Sequence, residues 1–137
     1  MQDLTLSAAF WNYDRTLPLA DGRVAVEGAR LDCRFLKPEA TFALAFGEAA
    51  FDVAELSFSN SVTAVSKGPF AYRLIPVFLS RAFRHEAIFV RADRGIRTPK
   101  DLAGRTIGLQ EYDMTAAVVV RGLLRDHYAV QAADLRW

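Results

Sequence analysis

What most constrains this chain is the alternation of short strand-like runs with helical runs along its whole length. Leu4 to Ala9 reads as a first strand. Arg30 to Leu36 alternates, putting Leu31, Cys33 and Phe35 on one face, which suits a second. A helical run follows Pro38 and reaches about Ala50 through Phe42, Leu44, Phe46 and Ala49. Proline at the first helical position is tolerated because its missing N–H would have had no partner there. Phe51 to Leu56 reads as the next strand, and the polar turn Ser57–Ser61 can cap a helix that ends near Lys67, before Gly68-Pro69.

Further strands are expected at Leu74–Phe78, His85–Arg91 and Arg105–Leu109. Thr98-Pro99-Lys100-Asp101-Leu102 predicts a short helix with Thr98 as its N-cap. Asp113 to Tyr128 is amphipathic, with Met114, Ala117, Val118, Leu124 and Tyr128 in near-helical register. Alternation of this kind argues for an α/β fold. Ala132 to Trp137 opens as a strand, so the chain is expected to continue beyond Trp137.

Several function classes drop out on composition. The 137 residues suffice for a domain with a core, and 52% are apolar, which is globular rather than disordered. A net charge of +1 offers no basic field, so no nucleic-acid partner is expected. Fourteen of the seventeen basic residues are arginine. Arginine's planar fork suits carboxylates, although a GC-rich genome explains the bias more simply. Cys33 is the single cysteine, which excludes an internal disulfide, and it reads as a small buried hydrophobe. His85 and His127 are far apart in sequence, and no metal-ligand spacing is present. The opening Met1-Gln2-Asp3-Leu4-Thr5-Leu6-Ser7 has neither a basic n-region nor an apolar h-region, so a cytoplasmic protein without a leader is expected. No apolar run is long enough for a membrane span. Nothing bears on oligomeric state.

The segment Ile88 to Gly108 reads IFVRADRGIRTPKDLAGRTIG. It resembles the hinge-to-second-lobe segment of type II periplasmic-binding-protein folds. Tyr13-Asp14-Arg15-Thr16, Asp52 to Ser57, Pro76 to His85, and Glu111 to Ala117 flank it. Together these resemble the 4,5-dihydroxyphthalate decarboxylase family over essentially the whole chain. Family members are roughly twice as long. The resemblance implies a two-lobed α/β protein with only lobe one (residues 1–85) and the beginning of lobe two (residues 86–137) present. In such folds the ligand lies between lobes, at the ends of strands and the starts of helices.

Four polar clusters fall at such places by this reading. Tyr13, Asp14 and Arg15 follow the first strand, where Arg15 could pair with a carboxylate; an ordinary surface turn is the alternative. Ser57, Ser59 and Asn60 begin a helix, where N–H groups favour an anion, or simply cap it. Ser80, Arg81, Arg84 and His85 lie on the presumed crossover; His85 could be a proton donor, or merely face solvent or core. Glu111, Tyr112 and Thr115 precede or begin the last helix, with Glu111 either accepting a phenol proton or serving as a structural acid. The helix start and Thr115 could grip a carboxylate, or Asp113 would simply cap the helix.

The resemblance implies loss of CO2 from a hydroxylated aromatic dicarboxylate by a carbon–carbon lyase, giving protocatechuate. That chemistry needs no metal or organic cofactor in principle; Glu111 or Asp14 could accept the phenol proton and His85 could deliver the proton to the ipso carbon. The competing class is a non-catalytic transporter-type binding protein for a small anionic or amine ligand.

Overall fold

The computed structural model describes residues 4–137. Met1–Asp3, part of the segment read above as lacking a leader, lie outside the described residues. The chain divides into two compact units, one of residues 1–57 and 61–81 and one of residues 58–60 and 82–137.

The first unit is built on three parallel strands in the order β2-β1-β3. They are β1 (Leu4–Phe10), β2 (Ala29–Phe35) and β3 (Val53–Ala54). β1 is central, with Leu4 opposite Ala29, Phe10 opposite Phe35, and Ala8 and Ala9 opposite Val53 and Ala54. Ala8 and Ala9 are fully buried. A central parallel strand is covered on both faces, and small side chains let its neighbours approach. One such neighbour is Ala45, in the helix α2 (Pro38–Glu48), which packs with Ala9 and Phe51. The short helix α1 (Leu17–Ala20) lies in the β1–β2 connection, and α3 (Phe58–Lys67) follows β3.

Only Val53 and Ala54 of the expected third strand pair as strand, but the bonding continues on either side. Asp52 N–H donates to the Ser7 carbonyl at 3.1 Å and Glu55 N–H to the Ala9 carbonyl at 2.9 Å. Because β2 and β3 lie on opposite sides of β1, the strand order reverses between β1 and β3. In open α/β sheets such a reversal opens a crevice at the carboxyl ends of the strands.

The second unit is organised by α4 (Thr115–Tyr128), packed against a 3₁₀ turn at Arg84–Ala87 and another at Pro99–Leu102. Leu102, Leu124, Val130 and Leu135 form its core, with Ile88, Ile96 and Ile107 against them. Thr98 and Asp101 form the expected cap as a reciprocal capping box.

Four expected strands differ, the last of them Ala132–Trp137, where Ala132–Asp134 forms a 3₁₀ turn and Arg136 makes a single bridge. Among the described residues Leu74–Phe78 forms no strand, and His85–Arg91 begins as a 3₁₀ turn and continues as unpaired chain. Arg105–Leu109 makes a single parallel bridge, between Thr106 and Arg136. A strand exists only where a neighbour takes up its N–H and C=O groups, and local residue pattern does not supply that neighbour. Ile88 and Ile107 still reach the second unit's core, but other apolar side chains of these runs stand open, with Phe89 89% exposed.

Among the described residues no helix is long and apolar enough to cross a membrane.

Candidate functional site

At the carboxyl end of β1 the chain turns sharply through Trp11–Thr16. Thr16 is buried, and its hydroxyl reaches the carbonyls of Trp11 (3.3 Å) and Tyr13 (3.2 Å), while its N–H donates to Tyr13 O at 3.1 Å. That knot holds Tyr13 toward the end of β3, where Glu55 waits. The Tyr13 hydroxyl donates to Glu55 Oε1 at 2.7 Å, and the Trp11 N–H donates to Glu55 Oε2 at 3.1 Å. Burial, then the hydrogen bond and negative charge of Glu55, push the Tyr13 phenol up to about 12, against the opposing influence of Ser80 and Arg15. Tyr13 is therefore a neutral phenol at ordinary pH, and not a base.

Arg15 lies with its guanidinium 4.1 Å from the centre of the Tyr13 ring, within cation–π range. Its Nη1 is 3.0 Å from Asp14 Oδ1, and its Nε donates to the Leu79 carbonyl. The Asp14 side chain is 92% exposed, so this ion pair is weakly held and open to exchange with another carboxylate. The first unit thus brings Tyr13, Asp14, Arg15 and Ser80 together, while Arg81 is exposed. Ser57 is buried at the N-cap of α3, where its carbonyl accepts from both the N–H (2.9 Å) and the hydroxyl (2.8 Å) of Ser61.

In the second unit Ser59 meets the start of α4. Its N–H donates to Thr115 Oγ1 at 3.2 Å, its hydroxyl donates to the Asp113 carbonyl at 2.6 Å, and the two hydroxyls are 3.2 Å apart. Met114, rather than Asp113, occupies the N-cap of α4. Asn60 is half-buried beside Ser59, and Glu111 is exposed. The Tyr112 ring packs edge-on against Trp137 at 5.6 Å, and the Arg121 guanidinium lies 3.7 Å from the Tyr112 ring centre and 5.6 Å from that of Trp137. Arg121 also donates to the Tyr112 carbonyl at 2.7 Å.

His85 is placed differently. It stacks on Phe83 at 4.9 Å and tilts against His127 at 6.2 Å. His127 lies near the end of α4 and Thr115 at its start, roughly 18 Å apart at the helical rise. Arg84 shares the 3₁₀ turn with His85. The two histidines, distant in sequence, are thus neighbours in space. Among the described residues no three His, Cys, Asp or Glu side chains gather as metal ligands would. A depression of about 600 Å³, bordered by Phe70, Tyr72, Arg73 and Leu74 among others, contains none of the candidate residues.

The family model described as NMT1/THI5 like matches residues 51–133. The chain belongs to the NMT1/THI5-like family. Domains of the NMT1/THI5-like family have a type II periplasmic-binding-protein-like fold, and the small parallel sheet with its helices is of that α/β class. The chain is 46% identical over 137 residues to the 4,5-dihydroxyphthalate decarboxylase of Comamonas testosteroni, covering all of this chain and 42% of that protein. It is 42% identical over the same length to the protein of that name from Pseudomonas putida, covering 53% of it. The chain spans about half the length of the curated relatives it matches.

The NMT1/THI5-like match takes in Glu55, Ser59, His85 and Thr115, whereas Tyr13–Arg15 lie ahead of it. Three structural participants were given no role in the reading of the sequence. Thr16 and Glu55 stood inside the motifs named above, and an acid immediately after a strand was the available signal for Glu55. Arg121, nine residues after Tyr112, belongs with Gly122 to the same resemblance.

Proposed function

We propose that the natural protein decarboxylates 4,5-dihydroxyphthalate, or a closely related hydroxylated aromatic dicarboxylate, to protocatechuate or its counterpart. The observation that carries this reading is the likeness to two decarboxylases of one name over every residue of the chain. The strand-end cluster is chemically suited to it. A guanidinium next to a replaceable carboxylate is a place for a substrate carboxylate, and a neutral phenol is a place for a ring hydroxyl.

The reaction needs electron push and a proton. Loss of the proton from the ring hydroxyl para to the departing carboxylate sends electron density into the ring. The ipso carbon then gains a proton, the bond from ring to carboxylate breaks, its electron pair returns to the ring, and CO2 leaves. Such a sequence asks for a base near the phenol, an acid over the ipso carbon, and cations or N–H groups for the retained carboxylate. Asp14 or Glu111 is proposed for the first role and His85 for the second. Arg15, Arg81, Arg84 and the start of α4 at Thr115 are proposed for the third, with Ser57, Ser59, Asn60, Ser80 and Tyr112 as further substrate contacts.

The fold favours one alternative, a receptor that holds such an anion without changing it. Incubating the natural protein with 4,5-dihydroxyphthalate and measuring CO2 and protocatechuate separates the two. Equimolar release of both is expected, and tight binding without release would replace the enzyme by the receptor.

A further inference from the structure

Glu55 is a half-buried carboxylate to which the proposed chemistry gives no part, yet three bonds tie it to β1 and to the loop that follows. Its own N–H donates to the Ala9 carbonyl at 2.9 Å, fastening it to the central strand. Its two carboxylate oxygens divide their work, one accepting the Tyr13 hydroxyl at 2.7 Å and the other the Trp11 N–H at 3.1 Å. This has a directional consequence. A phenol has one proton to donate, and Glu55 takes it, so toward anything else Tyr13 offers only acceptor capacity. The Arg15 guanidinium, over the same ring at 4.1 Å, offers only donors.

We propose that Glu55 is a positioning and specificity-determining residue: it fixes Tyr13 as an acceptor beside the donor Arg15, so that the pair selects an aromatic ligand carrying a ring hydroxyl as well as a carboxylate. This rests on the proposed decarboxylase reading. A hydroxylated aromatic acid satisfies both groups at once. The same acid without ring hydroxyls offers the Tyr13 oxygen nothing beyond the Ser80 hydroxyl beside it, so the acceptor capacity that Glu55 leaves open goes unused once water is excluded.

Glu55→Gln is the informative substitution. A carboxylate accepts on both oxygens, but an amide accepts on one, so either Tyr13 or the Trp11 N–H must lose its partner while size and shape are kept. In the natural protein, the dissociation constants of 4,5-dihydroxyphthalate and of phthalate are measured for wild type, Glu55→Gln, Tyr13→Phe and the double variant. A preference for the hydroxylated ligand is expected in wild type. It should fall by about tenfold in each single variant, the worth of one such hydrogen bond, and no further in the double variant. Phthalate binding should move by less than about twofold, within what a surface substitution does.

The second readout does not depend on activity. Glu55→Gln should shift one tyrosine's ultraviolet ionisation to lower pH, and Tyr13→Phe should remove that transition. If Glu55→Gln misfolds, Tyr13→Phe alone still decides the selectivity. Equal weakening of both ligands, or no preference in wild type, would overturn the specificity role. An unchanged tyrosine titration would overturn the positioning role. Absence of CO2 release with selectivity intact would instead sink the decarboxylase reading.

Discussion

Ser59 and Thr115 are neighbours although 56 residues separate them in sequence: the Ser59 N–H donates to Thr115 Oγ1 at 3.2 Å, and their hydroxyls are also 3.2 Å apart. Each lies in the first turn of its helix, where backbone N–H groups lack intrahelical partners. Thr115→Val keeps the shape and removes the acceptor. It should destabilise the natural protein by about 1 kcal/mol in urea unfolding, with Thr115→Ser restoring most of the loss. Equal stability of all three would mean the bond contributes nothing.

The Tyr13 phenol makes stability depend on alkaline pH. Burial and Glu55 raise its folded value to about 12, against an ordinary 10.0 for the unfolded chain. Between those values the unfolded state loses a proton that the folded state keeps. The contribution is therefore complete below the unfolded value and is lost as pH rises through the folded one. Tyr13→Phe should flatten this part of the stability profile, as read by denaturant midpoints against pH. A wild-type slope in the variant would place the titration on another residue.

Much of the first unit was legible because its signals are local. Pro38 marks a helix start and Leu31–Cys33–Phe35 alternate, just as Thr98 before Pro99 marks a short turn of helix in the second unit. The unpaired runs at Leu74–Phe78 and His85–Arg91 were read as strands because apolar alternation reports a preference for a face, not the presence of a partner. Glu55 was passed over for a related reason. Its importance comes from β1 and β3 lying side by side, and that adjacency is a property of topology. The nearness of His85 to His127 has the same origin, since a turn packed along α4 brings together residues that sequence keeps apart.

Two helix ends carry alanine where glycine is at home. Ala49 (φ 50°) and Ala129 (φ 57°) close α2 and α4 in the left-handed region, each donating to the carbonyl four residues back. A Cβ in that conformation meets the following carbonyl. Ala49→Gly and Ala129→Gly should each raise thermal stability by up to about 1 kcal/mol. A loss at either position would show that the alanine methyl packs more usefully than the backbone is strained.

His85 offers a test of its proposed donor role. As the proposed donor, seated against Phe83 and His127, it predicts that His85→Ala in the natural protein loses at least about a hundredfold in decarboxylation, the worth of one proton-transfer contribution. A well-folded His85→Ala protein as active as wild type would remove His85 from the donor role.

The most direct measurement concerns Arg15, held over Tyr13 where β1 ends. Steady-state CO2 release from 4,5-dihydroxyphthalate by the natural protein should lose at least about a hundredfold in kcat/KM on Arg15→Ala, mostly through KM, with partial recovery in Arg15→Lys, as expected when a charge-assisted carboxylate contact is removed. An Arg15→Ala protein as active as wild type would contradict the assignment of substrate binding to the carboxyl ends of β1 and β3.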